Sequence, residues 1–577
     1  MLTTLLQWAG DNPGLAKYVT TALRWVFVVL AVYILVRAIL SLLSTRATPE
    51  VWGYLYVENG TNMPITHWEN VIGRSSSVDL KIDKKAVSSN QALLIRRKDG
   101  QWIIKDLNSK NGTKVNGTQL LPSKRYLINP GDDIVMGGVR CTLATMSLEE
   151  SRNIKDMRSM DKEPMSPWHS LIAVTIFQAL MIIQLIIGMG SRITSSALIS
   201  MTLLSLIMWI YVAISRKVGR TGFEIEIIAF FMSTISLAVT TSWNPEATLK
   251  QFVAILIGVA LFVIACVYLR DLNRTKKLRP VLIAISVALL AFNVVFGTAK
   301  FGATNWISVA GMSIQPSELV KVAFVCIGAG TLEELFEKKN LYQYMFFSLF
   351  CLGCLAMMRD FGTALIFFAT YLVVSFLRSG DFSRLILTGG AALFMGLLVL
   401  RFMPYIAKRF AAWGHVWEPA FQNDMGYQQT RTMAFGAGGG LLGLGAGNGS
   451  IKGIAASNTD LVFGFVMEEW GYIIAVLMVL CIITLSLFAV NSIVAGRSTF
   501  YTIGACGAAT IFLVQTMLNV FGALDLFPLT GVTFPFVSTG GTSIIASWAI
   551  LAFFKAADMR QNASIAIRSD GGLYEKA

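Results

Sequence analysis

The chain alternates long apolar runs with short basic connectors, except over one stretch near its beginning. A first run, Ala22 to Leu43, is long enough to cross a bilayer core, which takes roughly 20 helical residues. It lacks the small-residue cleavage site of a signal peptide and so reads as an anchor. From 169 onward twelve more runs follow, near 169–190, 194–214, 223–241, 248–269, 281–298, 316–335, 343–358, 361–378, 384–404, 459–486, 500–523 and 541–556. With the anchor they predict about thirteen transmembrane helices. Residues 45–147 read differently. Charge rises, turn pairs recur (Asn59-Gly60, Asp99-Gly100, Asn111-Gly112, Asn116-Gly117, Pro130-Gly131), and short β-branched runs lie between them. Many short strands at near-regular spacing predict an all-β sandwich, and a stretch of that length can bury one core. A charged linker, 148–168, leads back to the apolar runs.

Composition sharpens this picture. The chain is 54% hydrophobic and 14% charged, against about 25% charged residues in soluble domains. The net charge of +14 would suggest nucleic acid in a soluble protein. Here Lys and Arg sit in connectors instead (Arg216-Lys217…Arg220, Arg270…Arg279, Lys338-Lys339, Arg378…Arg384, Arg497). They fall in every second loop, which marks the cytosolic side. Counting from them places the β-sandwich and the C-terminus in the cytosol, and the N-terminus and the long loop 405–458 outside. Nucleic acid is excluded as a partner, and anionic headgroups are the expected counter-charge. Cys351 and Cys354 lie in a continuous apolar run and read as core residues, and the three histidines are too scattered for a zinc site.

Ionisable residues within or beside membrane spans are costly and are functional candidates by default. Four sets stand out on the outer side. In Gln315-Pro316-Ser317-Glu318-Leu-Val-Lys321, Pro316 suits a first helical turn, and Glu318 and Lys321 share a helical face. In Arg359-Asp360-Phe-Gly-Thr363, a charged pair is wedged between two spans, and desolvation would raise the aspartate toward a useful base. An ion pair and an Arg–Asp clamp are the structural readings of these two sets. The third set, Thr459-Asp460 to Glu468-Glu469, carries carboxylates into an apolar run, of which a helix N-cap would explain only the first. The fourth, Pro528 to Ser543, is dense in Pro and Gly and includes Ser538. Irregular backbone at membrane depth is tolerated only where protein buries it or it lines a cavity. The loop 405–458 is rich in glycine and carries Lys408, Arg409, Trp413, Trp417 and Tyr427, which favours a functional loop.

Asn305-Trp306-Ile307 before QPSEL and Lys321, DFGTA at 360–364, GYQ at 426–428, TDLVFGFVMEEWG at 459–471 and the closing PLTGV and PFVSTGG together resemble the RodA/FtsW (SEDS) family of peptidoglycan glycosyltransferases. The resemblance covers about 223–560 and implies a ten-helix core, with 1–44 an added anchor, 169–222 two further helices and 561–577 a tail. Asn305 stands where the family has arginine, Arg359 where it has proline, and the serine common after GYQ is displaced, with Thr430 and Thr432 nearby. The resemblance implies polymerisation of lipid II on the outer leaflet, with undecaprenyl diphosphate as leaving group and Asp360 as general base. Glu318 and Lys321 join Asp360 as catalytic candidates. Trp306, Gln315, Arg359, Lys408, Arg409, Tyr427, Gln428, Asp460, Glu468 and Ser538 are candidates for substrate binding. It also implies a class B penicillin-binding protein as partner. No metal ligands are assigned, although a divalent cation such as Mg or Mn would suit a departing diphosphate. A lipid II flippase and a non-catalytic scaffold are the competing readings.

The β-sandwich resembles a forkhead-associated (FHA) domain through Ile72-Gly73-Arg74, Val87-Ser88-Ser89-Asn90-Gln91, Asp106 to Gly117 and Pro130-Gly131-Asp132. The resemblance implies recognition of a phosphothreonine protein by Arg74, Ser88, Ser89, Lys110 and Asn111, and forked hydrogen bonds from Arg to phosphate suit that role. The family's SRxH reads SSNQ here, losing one Arg and the buttressing His.

Overall fold

A computed structural model of the chain describes all residues except 1–6, 8–10, 45–50, 59, 76–77, 98, 148, 151, 154–163, 301–302, 310–311, 334–337, 380–381, 496–497, 559, 561–574 and 577. Part of the linker and most of the tail therefore lie outside the described residues. Helix α1 (Pro13–Ser44) leads into a two-sheet sandwich of β1 (Gly53–Val57), β2 (Asn62–Ile65), β3 (Glu69–Gly73), β4 (Leu80–Lys81), β5 (Ala92–Arg96), β6 (Trp102–Asp106), β7 (Thr113–Val115), β8 (Thr118–Gln119), β9 (Arg125–Ile128), β10 (Asp133–Met136) and β11 (Val139–Ala144). One sheet runs β2-β1-β11-β10-β7-β8, and the other contains β9-β6-β5-β3-β4. Alternation packs Leu55, Ile72, Leu94, Trp102, Ile104 and Leu143 between the sheets, fully buried, as the period-2 reading requires. The edge of the second sheet at β9 is extended in parallel by Glu575–Lys576 near the C-terminus.

The helical part follows in order: α2 (Trp168–Met189), α3 (Ser195–Lys217), α4 (Glu224–Trp243), α5 (Thr248–Leu269) and α6 (Leu272–Phe296). A three-stranded meander of β12 (Thr298–Lys300), β13 (Ala303–Val309) and β14 (Met312–Ile314) precedes α7 (Pro316–Glu333). Then come α8 (Lys338–Met357), α9 (Phe361–Ser379), α10 (Phe382–Phe402) and three short helices, α11 (Pro404–Ala412), α12 (Pro419–Gln422) and α13 (Tyr427–Gly439). The last four are α14 (Val462–Trp470), α15 (Tyr472–Ala495), α16 (Thr499–Ala523) and α17 (Gly541–Ala557). Among the described residues nine helices are long and apolar enough to cross a membrane, and shorter apolar helices cover Tyr342–Met357, Phe361–Leu377 and Gly541–Ala557. Helix α7 carries Glu318 and Lys321, which dilute its apolar character.

Two expectations change. The run 459–486 is not one span, because Gly471, at φ +90°, separates α14 from α15. A Cβ at Gly471 would lie 2.3 Å from the Leu441 carbonyl oxygen, so the break is fitted against the glycine-rich loop. The loop 405–458 is also partly helical, and the meander before α7 was not legible as strand. Helices in lipid gain little from hydrophobicity between themselves and depend on close packing. Gly258 provides it between α5 and α17, where its missing Cβ makes room for the buried Trp548 ring.

The added N-terminal helices are tied to the core at both ends. At the sandwich end, Ser41 of α1 hydrogen bonds to Glu224 of α4. Buried ion pairs join Glu226 to Lys555 at 2.9 Å and Glu224 to Arg560 at 2.9 Å. There the Trp68 ring of the sandwich packs edge-on to Tyr501 at the start of α16. At the opposite end, Arg24 donates to the carbonyls of Gly443 (2.8 Å) and Leu444 (2.7 Å). Arg192 donates to the Gly447 carbonyl at 3.4 Å. Replacing Gly471 by Ala combines a left-handed backbone with the Leu441 clash, and should cost at least about 2 kcal/mol. A fall in the thermal midpoint of the detergent-solubilised protein checks this, and an unchanged midpoint counts against the fitted break.

Candidate functional site

The meander, α7 and α9 meet at the bundle end opposite the sandwich. Asp360 sits just before α9, and its Oδ1 accepts the Thr363 backbone N–H at 3.1 Å, the bond of a helix N-cap. Its Oδ2 accepts the side-chain amides of Asn305 at 2.6 Å and Gln315 at 3.2 Å. Asp360 and Asn305 are both 7% exposed. These partners stand where the structural alternative had an Arg–Asp clamp: the Arg359 side chain is exposed, and its backbone takes φ +59° to turn the chain from α8 into α9. The left-handed region is costly for a residue with a Cβ, and such outliers collect where surrounding structure over-determines them.

One turn into α7 lies a second polar layer. Lys321 pairs with Glu318 at 2.8 Å and donates to Gln515 of α16 at 3.1 Å, with both charged groups buried. Gln515 in turn donates to Thr533 at 2.9 Å, and Thr533 bonds Ser543 at 2.7 Å. The Gln315 backbone donates to Thr542 at 3.3 Å. Gln515, Thr533, Thr542 and Ser543 were not singled out individually from sequence. A glutamine in the apolar run of α16 was the available signal.

Asp460 lies within electrostatic reach of Arg409 and Asp360. Arg409 donates to the Leu529 carbonyl at 2.8 Å. Asn519 holds the Asp460 and Val532 carbonyls at 3.0 and 2.8 Å, which draws the Pro- and Gly-rich segment 528–543 against Asp460. Other sequence candidates are engaged in holding backbone. Glu468 accepts the backbone N–H groups of Ser450 and Ile451 at 2.8 and 2.9 Å. Glu469 accepts Gly447 and Gly449 at 3.1 and 3.2 Å, together with the Ser242 hydroxyl at 2.5 Å. Ser538 donates to the Thr459 carbonyl and accepts from Phe534, both at 2.7 Å. Gln428 donates to Ala455 at 2.9 Å. Tyr427 and Lys408 are exposed, and the Arg431 guanidinium covers the Tyr427 ring at 5.3 Å. Trp306 follows Asn305 on β13 and so faces the other side of that strand. Among the described residues no three His, Cys, Asp or Glu gather to hold a metal, and the bonds around Asp360 come from N–H donors. The described residues do not form a preassembled cation site.

In the sandwich, Arg74, Ser89, Lys110 and Asn111 are exposed on neighbouring loops. The Ser88 hydroxyl accepts the Lys110 N–H at 2.9 Å and keeps its own proton to donate. Asn111 donates to the Ala86 carbonyl at 2.7 Å. Gln91, fully buried, stands where the family has its buttressing His. It accepts the Ser88 N–H at 2.9 Å and donates to Ser109 (2.8 Å) and Gly112 (2.9 Å). The lost His therefore leaves no gap, because an amide serves both loops.

Lys321→Met would leave Glu318 charged and buried alone, and should cost about 3–5 kcal/mol. The double variant Glu318→Leu/Lys321→Met should recover most of the thermal midpoint. A double variant no more stable than the single would show that the pair is not the stabilising unit.

A model of the family described as cell cycle protein, covering FtsW, RodA and SpoVE, matches residues 218–563, more than half of the chain. An FHA domain model matches residues 70–137. A probable peptidoglycan glycosyltransferase FtsW of Shewanella sediminis is 32% identical over 52% of this chain and 75% of its own length. The peptidoglycan glycosyltransferase RodA of Mycobacterium leprae is 28% identical over 54% of this chain and 70% of its own. The solved rod shape determining protein RodA of Thermus thermophilus aligns with a TM-score of 0.43 and 22% identity, over 57% of this chain and 94% of that one. The chain is a multi-pass membrane protein that belongs to the FtsW/RodA/SpoVE cell cycle protein family and carries an FHA domain ahead of that family core.

Proposed function

We propose that this chain is a peptidoglycan glycosyltransferase that polymerises lipid II into glycan strands on the outer face of the plasma membrane. The observation that carries the reading is the meeting of Asp360 with Gln315 and Asn305 beside the Glu318–Lys321 pair, at the end of the bundle away from the FHA domain. Relatives named peptidoglycan glycosyltransferases support the substrate class. Asp360 takes the proton of the acceptor sugar's 4-hydroxyl. That oxygen attacks the anomeric carbon of the growing glycan, and undecaprenyl diphosphate leaves with the bonding pair. Cations where the diphosphate departs lower the barrier. Lys321 is already engaged by Glu318 and Gln515, so the exposed Arg359 and Lys408, with Arg409, are better supported for that role.

The FHA domain and C-terminus face the cytosol in this reading, since the basic connectors lie at that end. The loop 405–458 faces outside, and a class B penicillin-binding protein cross-links the product. A phosphothreonine protein binds at Arg74, Ser88, Ser89, Lys110 and Asn111. The route from that domain to the outer loop is the pair α1 and α2, which flank the sandwich in sequence. Arg24 on α1 and Arg192, just beyond α2, hold the glycine-rich loop.

Labelled lipid II incubated with the purified protein and its transpeptidase tests the enzyme. Asn caps helices as well as Asp does, so Asp360→Asn should stay folded and lose at least about a hundredfold in polymer formation, the scale of a lost general base. Wild-type rates in that variant would sink the assignment of Asp360. Lipid II scrambling across vesicles without polymer would favour a flippase, and neither activity a scaffold. Titration of the whole protein with phosphothreonine peptides tests the second site. Arg74→Ala should weaken binding about tenfold or more, and equal binding of unphosphorylated peptide would remove the phosphate reading.

A further inference from the structure

The hydrogen bonds on Asp360 are unequal between its two oxygens, and the inequality names the reacting atom. Each carboxylate oxygen offers two lone pairs. On Oδ2 both are taken, by Asn305 at 2.6 Å and Gln315 at 3.2 Å. On Oδ1 one is taken, by the Thr363 backbone N–H at 3.1 Å. Asn305 must present its NH₂ group there, since its carbonyl would face a carboxylate oxygen. Its strand is fixed independently: Asn293 donates to the Asn305 carbonyl at 3.2 Å, and the Thr304 N–H bonds the Met358 carbonyl at 2.9 Å, two residues before Asp360. The meander between α6 and α7 thus brings a neutral donor against the aspartate that precedes α9.

We infer that Asn305 is a positioning residue that closes Oδ2 and leaves Oδ1 of Asp360 as the atom that takes the acceptor's proton. The inference rests on the glycosyltransferase reading for its reaction, though not for its geometry. In the step, the hydroxyl O–H breaks toward Oδ1 and the new C–O bond forms at the anomeric carbon. The C–O bond to the diphosphate breaks with its electrons on the leaving group. An amide is the suitable donor here because it cannot titrate and adds no net charge, so it orients the carboxylate without neutralising it. The charged groups around Asp360 are Arg359 beside it, Glu318 and Lys321 on α7, and Asp460 with Arg409 across from the 528–532 segment. Asn305 and Gln315 are the uncharged side chains on Oδ2, and the Asn305 side chain donates to Asp360.

The test uses the full chain with Asn305→Leu and the isosteric Asn305→Asp. A donated N–H favours the charged carboxylate, so losing it moves the acidic limb of the pH–rate profile for polymer formation upward. The expected shift is about one unit in Asn305→Leu and more in Asn305→Asp, where a second carboxylate faces the first. The rate at saturating lipid II should fall about tenfold or more while KM changes little. Infrared titration of the Asp360 carboxyl, with Asp360→Asn as the blank, reads the same shift without substrate, and Asn305→Asp keeps the shape if Asn305→Leu does not fold. An unmoved titration in the folded variants overturns the inference whatever the activity. A shifted titration in a protein that makes no polymer upholds the positioning of Asp360 while failing the glycosyltransferase reading.

Discussion

A carboxylate inside an apolar bundle has no water and must be met by N–H donors or a cation, and most of this architecture follows from how each buried acid is met. The cost of an unmet charge is many times that of a lost hydrogen bond, so the acids dictate which elements touch. At the sandwich end, Glu224, Glu226 and Asp558 meet Lys555 and Arg560, which ties the first core helix to the C-terminal end of the last. At the opposite end, Glu468 and Glu469 are met by loop amides from 447 to 451. A glycine-rich loop suits that task because its backbone can approach two carboxylates at once. Glu468, a substrate-binding candidate along the chain, thus joins Glu469 in clamping the loop.

The region around Asp360 uses both solutions side by side. Glu318 is met by a cation and is thereby neutralised as a pair. Asp360 is met by the neutral side-chain amides of Asn305 and Gln315. The first pair holds α7 against α16 through Gln515, and the second set holds the meander and the residue before α7 against the start of α9. The link from Lys321 through Gln515 to Thr533 also ties the segment 528–543 to α7 and α16.

The helices outside the family core extend this logic across the bilayer. Helix α1 is bonded near one end to the core's acids and near the other to the loop's carbonyls. Arg24 supplies donors to carbonyls that the loop's own turns leave open. The end of the bundle that carries the sandwich and the end that carries the glycine-rich loop are thus bonded to one helix.

Sequence alone determined the apolar helices, the inserted β-sandwich and the candidates at Asp360, Glu318 and Lys321, because hydrophobic period, turn pairs and charges in apolar runs are local signals. It flagged Asn305 as a departure from the family's arginine, without its partner. Only the tertiary structure decided that Asn305 and Gln315 share one oxygen of Asp360, since residues 55 and 45 positions apart in the chain carry no mark of facing each other. It also decided that Gln91 does the work of the missing His, that Glu468 serves the loop, and that 459–486 breaks at Gly471. A hydrogen bond depends on direction and distance between elements, and neither is written in the order of residues along one of them.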